Sequence, residues 1–285
     1  MKTLQITQKM RPLLNDGGRF LLPSVHGCSS ASAIATVALG AFVRPAQCLA
    51  GMLRSVNTSC QLVVLTNRTY ERKMSLYFDR VFDVDELRLR LTMFRAQSVE
   101  GRRLQRLDRN PDWHKMTYTK LLVFALKEYV SVLLIDTDVL VMKNVDALLE
   151  LKIPFGAVAA LPYSTSVFNS GVILVHPNVA TCYRLHMVNT TKIKRSGERF
   201  ATTDQSILNH YFRKTWYKLP HGYNAGIKIK IVNPTMWNSI EKAIIHFVHR
   251  PKPWEHALEN AYTKEARLIT KNRLALLFKE WKLRC

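Results

Sequence analysis

Short apolar runs alternate with stretches of helical spacing along the chain. The runs 31–37 and 62–66 are rich in Val, Leu and Thr, and a segment that opens at Pro45 between them places its apolar residues on one helical face. A third run, 130–135, follows an amphipathic stretch over 117–129 that we predict to be a helix. Strands that alternate with helices predict an α/β fold with a single doubly wound, mostly parallel sheet flanked by helices.

The remaining segments are organised around this pattern. We predict a flexible N-terminal extension over 1–30, one domain over 31–256 and a basic amphipathic C-terminal helix over 257–285. That helix could dock on the core or lie on a membrane surface, and docking is the commoner outcome. Three further apolar runs predict strands: 157–161, 172–175 and 244–248.

The charge is strongly positive, with 42 Lys and Arg against 21 Asp and Glu, a net charge of +21 and a pI near 10.0. Such a field attracts nucleic acid, anionic lipid, acidic glycans and phosphorylated small molecules alike. The seven arginines from Arg88 to Arg109 could face an anionic partner, although a solvated face is the commoner reason for such a run. Basic residues are not interleaved with aromatic ones at useful density, so no nucleic-acid partner is expected.

The five cysteines show no CxxC spacing and form an odd set, which favours free thiols over a zinc site or a closed disulfide framework. The N-terminal segment has no continuous apolar stretch, so it does not resemble a signal peptide. We therefore predict a cytoplasmic protein. The Golgi lumen is the alternative if an N-terminal anchor is missing from the sequence, and N-glycosylation patterns at Asn57, Asn67 and Asn189 would matter only there.

Two carboxylates follow a buried strand directly: the run Val132–Ile135 ends in Asp136-Thr137-Asp138. Ligands collect beyond the carboxyl ends of strands in sheets of this kind. The carboxylates could cap a turn through local hydrogen bonds, or they could bind a divalent cation that prefers oxygen ligands, such as Mg²⁺ or Mn²⁺. The position after a buried strand favours the metal.

A second polar cluster lies at His246–Trp254, late in the chain. The imidazole of His246 can bind a metal, and the ammonium of Lys252 suits phosphate oxygens. Taken alone, this segment is better explained as a basic turn shaped by two prolines.

In combination, these segments resemble glycosyltransferase family 8, the glycogenin and galactinol-synthase type. The resemblance covers most of 31–254 and implies a GT-A fold and the transfer of a hexose, glucose or galactose, from a UDP-sugar to an acceptor. The matching segments occur in the family's order: Thr119–Leu121, Leu133–Leu151, Phe168–Val172, Thr203–Asn209, Leu219–Pro220, Tyr223–Asn224 and His246–Trp254.

The resemblance also implies the roles of individual residues. Asp136, Asp138 and His246 would bind Mn²⁺, or Mg²⁺, between the two phosphates of the donor. Lys120 and Lys252 would contact the diphosphate and stabilise the charge that develops as UDP departs. In this interpretation the metal joins the acidic strand end to the distant imidazole.

The donor itself would be bound by residues from the same matching segments. Asn169, Asp204 and Gln205 would line the sugar pocket, Phe42 could stack on uracil, and Asn224 would complete the donor site. Asp204, Gln205 and Lys120 are the candidate catalytic residues. Each also has a plain structural reading: Asn169-Ser170-Gly171 as a turn, Asp204-Gln205 as a helix N-terminus and Lys120 as a solvated helix residue.

Members of the family retain the anomeric configuration, usually by same-face attack through an oxocarbenium-like transition state. This sequence departs from the family at His249, where a glycine is usual, and at Ala201, where an acidic residue is common. These departures leave the choice of sugar open and allow an inactive member as an alternative. A basic protein that binds polyanions or nucleic acid on the same scaffold is the other alternative. The acceptor, a glycan, protein or small molecule, and a homodimeric state are left open.

Overall fold

The computed structural model describes residues 27–97, 116–188, 203–248, 252–254 and 264–285. The strands are β1 (Ser32–Val37), β2 (Gln61–Thr66), β3 (Arg80–Asp83), β4 (Ser131–Ile135), β5 (Val139–Val141), β6 (Phe155–Ala159), β7 (Phe168–Val175), β8 (Tyr217–Leu219), β9 (Ala225–Gly226) and β10 (Ile244–His246). The helices are α1 (Val43–Ser55), α2 (Arg68–Met74), α3 (Val84–Gln97), α4 (Val179–His186), α5 (Asp204–Phe212), α6 (Ile227–Val232), α7 (Pro234–Ser239) and α8 (Lys264–Arg284). Shorter 3₁₀ segments are Gly40–Phe42, Met116–Ala125, Asp146–Glu150 and His221–Asn224.

Seven strands form the central sheet in the order β3-β2-β1-β4-β7-β6-β8. Strands β1 to β4 are parallel, and β7 runs antiparallel to both β4 and β6. The amino end of β7 therefore lies at the carboxyl edge of β4. This reversal places residues near Asn169 beside the acidic loop that follows Ile135.

Both faces of this sheet are covered, and its central strands β1, β4 and β7 are therefore buried along nearly their whole length. Ile34 of β1 and Leu133 of β4 face a core that includes α1, whereas Ala33 and Leu134 face a second core. Alternate residues of a strand point to opposite faces, so a continuous apolar run can fill two cores at once. The predicted doubly wound, mostly parallel sheet is confirmed.

A smaller sheet of three strands, in the order β5-β10-β9, was not anticipated from the sequence. Of its strands only β10 was predicted, as part of the run 244–248. Strands β5 and β9 are three and two residues long, too short for their hydrophobic pattern to be recognised. It has a direct role in the site, because His246 of β10 pairs with Val139 of β5. This pairing brings the imidazole next to Asp138, which precedes β5.

One predicted helix differs in the structure. The stretch 117–129 was expected to be amphipathic, but Met116–Ala125 forms a 3₁₀ segment in which Leu121–Phe124 are all buried. A segment that is apolar on every side lies inside the core and does not show one clear helical face. Lys120 is the only charged residue within it.

The expectation of free thiols is wrong for four of the five cysteines. Disulfides join Cys28 to Cys60 and Cys48 to Cys285, and Cys182 is free and buried. The second pair is separated by 237 residues along the chain, so no spacing rule could have revealed it. This disulfide links α1 to the residue that follows α8.

The arginine-rich segment is described only up to residue 97, and there its charges are partly paired. Arg88 contacts Asp85, and Arg90 contacts Glu86 and Glu128. This is the pattern of a solvated helix face with ion pairs. None of the described helices has the length and apolar character that a bilayer crossing requires.

Candidate active site

The acidic loop after β4 is fixed by hydrogen bonds to both sheets. The Asp136 amide donates to the Gly171 carbonyl of β7 at 2.8 Å, and the Asp138 carbonyl accepts from the Phe247 amide at 2.9 Å. Thr137 between them is buried. The two carboxylates are therefore oriented by main-chain contacts from strands that the sequence places far apart.

The predicted metal ligands lie together. One ligand atom from each of Asp136, Asp138 and His246 can be chosen so that all lie within 4.8 Å of one another. The Nε2 atom of His246 is 3.2 Å from Oδ1 of Asp138, and the imidazole is buried. Two carboxylates and one imidazole are a donor set that fits Mn²⁺ or Mg²⁺.

A chain of hydrogen bonds through three amide side chains orients this imidazole. Nδ1 of His246 donates to Oδ1 of Asn224 at 2.8 Å, so Nε2 is the ring nitrogen that faces the carboxylates. Asn224 in turn donates to Asn169 at 2.9 Å, and Asn169 donates to Gln205 at 3.0 Å. A single chain of hydrogen bonds thus connects the candidate sugar-pocket residues to the candidate metal ligand.

Gly171 makes room for the same imidazole. A Cβ atom at this position would lie 2.1 Å from Cε1 of His246 and 2.8 Å from Oδ1 of Asn169. Asn169, Ser170 and Gly171 all belong to β7, so their interpretation as a turn is wrong. The glycine is required by the close approach of the imidazole to the strand.

Lys120 is a partly buried cation between two carboxylates, so its interpretation as a solvated helix residue is also wrong. Its Nζ atom lies 2.8 Å from Asp136 and 3.1 Å from Asp204, and it donates to the Ser170 carbonyl at 3.0 Å. Burial alone would lower the pKa of Lys120, but Asp136 and Asp204 outweigh it and hold that pKa above its usual value. The ammonium therefore stays charged.

Lys252 approaches the other carboxylate. Its Nζ atom lies 2.5 Å from Oδ2 of Asp138 and 2.7 Å from the Phe247 carbonyl. Burial alone would raise the pKa of Asp138, but His246 and Lys252 hold it below its usual range. Burial raises the pKa of Asp136, and Lys120 opposes that shift. Each carboxylate thus has a cationic partner of its own.

Asp204 and Gln205 begin α5, as their structural reading anticipated. The Thr203 hydroxyl caps this helix by accepting from the Ser206 amide at 3.3 Å. Ser170 donates to Asp204 at 2.7 Å through its hydroxyl and to Gln205 at 3.3 Å through its amide. The first turn of α5 is therefore joined to β7 and, through Lys120, to the acidic loop.

Phe42 lies at the rim of this group. It is 42% exposed, and its ring is 6.4 Å from that of Trp254 in a T-shaped arrangement. An aromatic face open to solvent beside Trp254 is suitable for stacking on a base. Residues 201 and 249, where the sequence departs from the family, lie outside the described residues.

The structure brings together nine of the ten candidate residues in one network, with Phe42 at its edge. Ser170 and Gly171 were not singled out for the site, although the segment Phe168–Val172 was. Their contribution arises from a carbonyl, a hydroxyl and a missing side chain, which residue type alone does not reveal.

Comparison with known proteins agrees with this geometry. Residues 43–257 match the family model described as Glycosyl transferase family 8. The chain belongs to glycosyltransferase family 8. The sequence resemblance is thereby confirmed.

Relatives of this family 8 chain include glycogenin from Neurospora crassa, which is 26% identical over 222 residues. That match covers 75% of the chain and 30% of the glycogenin. Galactinol synthase 1 from Solanum lycopersicum is 25% identical over 201 residues, covering 62% of the chain and 60% of the synthase. The chain thus spans less than two thirds of the length of these relatives.

Solved structures share the fold of this family 8 chain. The glycosyltransferase GlyE of Streptococcus pneumoniae TIGR4 has a TM-score of 0.56 at 17% identity, covering 89% of this chain and 64% of that one. An active-site mutant of LgtC has a TM-score of 0.50 at 17% identity, covering 89% and 100%. These likenesses confirm a fold of the GT-A type.

Proposed function

We propose that this chain is a retaining hexosyltransferase that moves glucose or galactose from a UDP-sugar to an acceptor with the help of Mn²⁺ or Mg²⁺. The observation that carries the proposal is the convergence of Asp136, Asp138 and His246, with one lysine beside each carboxylate. When bound, the metal would supply Lewis-acid stabilisation of the diphosphate.

The residues of the chain would prepare the donor for bond cleavage. The ammonium groups of Lys252 and Lys120 would contact the diphosphate. Their electrostatic attraction to it would strengthen as negative charge develops on the leaving group. Both lysines are held by hydrogen bonds to carbonyl groups, so little reorganisation is needed. Phe42 would stack on uracil at the open side of the site.

The sugar would lie against the amino end of β7 and the first turn of α5. Asn169, Gln205 and Asn224 offer amide groups there, and Asp204 offers a carboxylate that could support an oxocarbenium-like transition state. Asp204 is paired with Lys120 and Ser170 in this structure, which favours a stabilising role over nucleophilic attack. This arrangement agrees with retention by same-face attack.

The test is UDP release from UDP-glucose, UDP-galactose, UDP-xylose and UDP-N-acetylglucosamine, with and without Mn²⁺. We expect release to depend on the metal and to fall by more than about 100-fold in Asp138→Asn, because one ligand charge is lost. Asp85→Asn is the matched control, since Asp85 is exposed and contacts only Arg88 among the described ion pairs. Release without metal, or full activity of Asp138→Asn, would refute the proposal.

The two alternatives predict different results. An inactive family member would bind UDP with Mn²⁺ but release none from any donor. A polyanion-binding protein would bind generic DNA with a steep dependence on salt and would not bind UDP. The intact cluster of carboxylates, imidazole and lysines favours the enzyme over both.

We also propose that the protein resides in an oxidising compartment. Disulfides persist in oxidising compartments and are rare in the cytoplasm. The Cys28–Cys60 and Cys48–Cys285 disulfides therefore favour the Golgi lumen, the alternative location, over the cytoplasmic one.

A further inference from the structure

Helix α8 contacts three segments that each carry a residue of the candidate site. The indole of Trp281 donates to the Val139 carbonyl at 3.0 Å, and Val139 directly follows Asp138. The ring of Phe278 lies 5.4 Å from that of Phe247, which directly follows His246. These contacts come from one face of the helix, because positions 278 and 281 are three residues apart.

The third contact involves the lysine segment. The ring of Trp281 lies 5.5 Å from that of Trp254, two residues after Lys252, and Trp254 in turn contacts Phe42. Aromatic pairs at these separations are worth about 0.5 to 1.5 kcal/mol beyond the area they bury. An unbroken row of rings therefore runs from α8 to the aromatic face proposed to receive uracil.

The hydrogen bond from Trp281 to Val139 is made to the outer edge of β5, which is the edge strand of the small sheet. Alternate carbonyls of a strand point to opposite edges, and the Asp138 carbonyl already accepts from Phe247 on the β10 side. The Val139 and Val141 carbonyls face the other edge, where Trp281 and Arg284 donate to them at 3.0 and 3.4 Å. Side chains of α8 thus supply the hydrogen bonds of a missing neighbouring strand.

A disulfide fixes this helix at the end nearest to these contacts. Cys285 follows Arg284 directly and is bonded to Cys48, which is buried in α1. Helix α1 begins at Val43, immediately after Phe42. The covalent link therefore joins α8 to the element that leads out of the aromatic rim of the site.

We propose that α8 is a positioning element for the metal and diphosphate site, with Trp281 as its positioning residue and the Cys48–Cys285 disulfide as its covalent anchor. The inference rests on the proposed function, because it concerns the same site. Loss of the Trp281 contacts lets β5 and the Lys252 segment move, so that Asp138, His246 and Lys252 no longer converge. The effect is on affinity for metal and diphosphate, beyond any effect on stability.

The first experiment compares Trp281→Phe with Trp237→Phe in the full chain. Phenylalanine keeps a ring at position 281 but removes the indole donor to Val139. Trp237 is a buried tryptophan of the same core that contacts Lys230 and Lys242, so its replacement controls for a general loss of packing. The probe is UDP, titrated calorimetrically at fixed Mn²⁺ well below the melting temperature of each variant.

We expect Trp281→Phe to weaken UDP binding about three- to tenfold, the change that corresponds to loss of one net hydrogen bond. The Mn²⁺ concentration needed for half-maximal UDP binding should rise with it. Trp237→Phe should lower the melting temperature and leave both values near those of the wild type. In turnover, Trp281→Phe should raise KM for the donor more than it lowers kcat.

The second experiment uses the two disulfides as a matched pair, which keeps the proposal testable if Trp281→Phe does not fold. Cys285→Ser removes the anchor of α8, whereas Cys28→Ser removes a disulfide at the amino end of β2, and the site lies beyond the carboxyl end of β4. Cys285→Ser should weaken UDP binding, and Cys28→Ser should not.

The possible failures are distinguishable. If wild-type protein binds no UDP with Mn²⁺, the proposed function fails and this inference fails with it. If the wild type binds UDP and both Trp281→Phe and Cys285→Ser bind it equally well, the function stands and the positioning role is refuted. Equal weakening in Cys28→Ser and Cys285→Ser would also refute it, because the effect would then be general.

Discussion

At the scale of single residues, the site depends on close contacts around the imidazole of His246. The imidazole of His246 fits only because position 171 has no side chain, and its orientation depends on Asn224. Such contacts connect residues that are 22 and 75 positions apart in the sequence. The sequence could therefore predict which residues lie together but not how they support one another.

Gly171→Ala tests this close approach. The new methyl group would lie 2.1 Å from the imidazole, so His246 must move away from the carboxylates. We expect overpacking to cost roughly 1 to 3 kcal/mol of stability and most of the Mn²⁺-dependent UDP release to be lost. Gly51→Ala is the control: it lies in α1 with open space around its Cβ position, and it should be as stable as the wild type or more so. Normal UDP release by Gly171→Ala would contradict the argument.

A second prediction at this scale concerns His186, which is buried outside the site. Burial lowers the pKa of its imidazole to about 4, and the ring Nδ1 donates to the Cys182 carbonyl at 2.8 Å. The unfolded chain, with a histidine pKa of about 6.5, takes up a proton between these pH values that the folded protein does not. The free energy of unfolding should therefore fall by up to roughly 3 kcal/mol as the pH is lowered from about 6.5 to about 4.

Denaturant melts at a series of pH values would measure this dependence. His186→Gln should be less stable than the wild type near neutral pH, but its stability should change less across the window, because the group that takes up the proton is gone. An unchanged slope in this variant would show that other groups cause the pH dependence.

At the scale of elements, the long apolar runs were predictable and the short irregular segments were not. The runs over 31–37, 62–66 and 130–135 became β1, β2 and β4, because a strand buried on both faces needs apolar residues at every position. The run 244–248 likewise contains β10, but the 3₁₀ segment before β4 and the short strands β5 and β9 have no such pattern. Their conformations are set by tertiary contacts, so local spacing could not predict them.

The first turn of helix α5 positions two side chains of the candidate site. Its cap, Thr203, holds the turn in which Asp204 and Gln205 reach Ser170. Thr203→Ala should cost about 1 kcal/mol of stability, the usual loss for a helix cap, and should reduce UDP release by loosening these two side chains. Thr203→Ser keeps the hydroxyl and should behave like the wild type. Equal activity in the alanine and serine variants would show that the helix cap does not influence the site.

At the scale of the whole molecule, the two disulfides could not be predicted from the sequence. An odd number of cysteines without a recognisable spacing favoured free thiols, because pairing depends on which elements the fold brings together. The Cα atoms of the two pairs lie 4.8 and 4.5 Å apart in the structure, within the normal range for a disulfide. The same fold leaves Cys182 buried between α4 and the 3₁₀ segment, where its thiol donates to the Leu121 carbonyl at 3.2 Å.

Thiol counting on protein secreted from an oxidising expression host tests both the pairing and the compartment. The folded protein should not react with maleimide, since burial raises the pKa of the Cys182 thiol and keeps the reactive thiolate scarce. Denaturation without reductant should expose one thiol, and denaturation with reductant all five. Three thiols before reduction would mean that one pair does not form. Five would mean that neither pair forms, which removes the reason to favour a lumenal over a cytoplasmic enzyme and also removes the covalent anchor of α8.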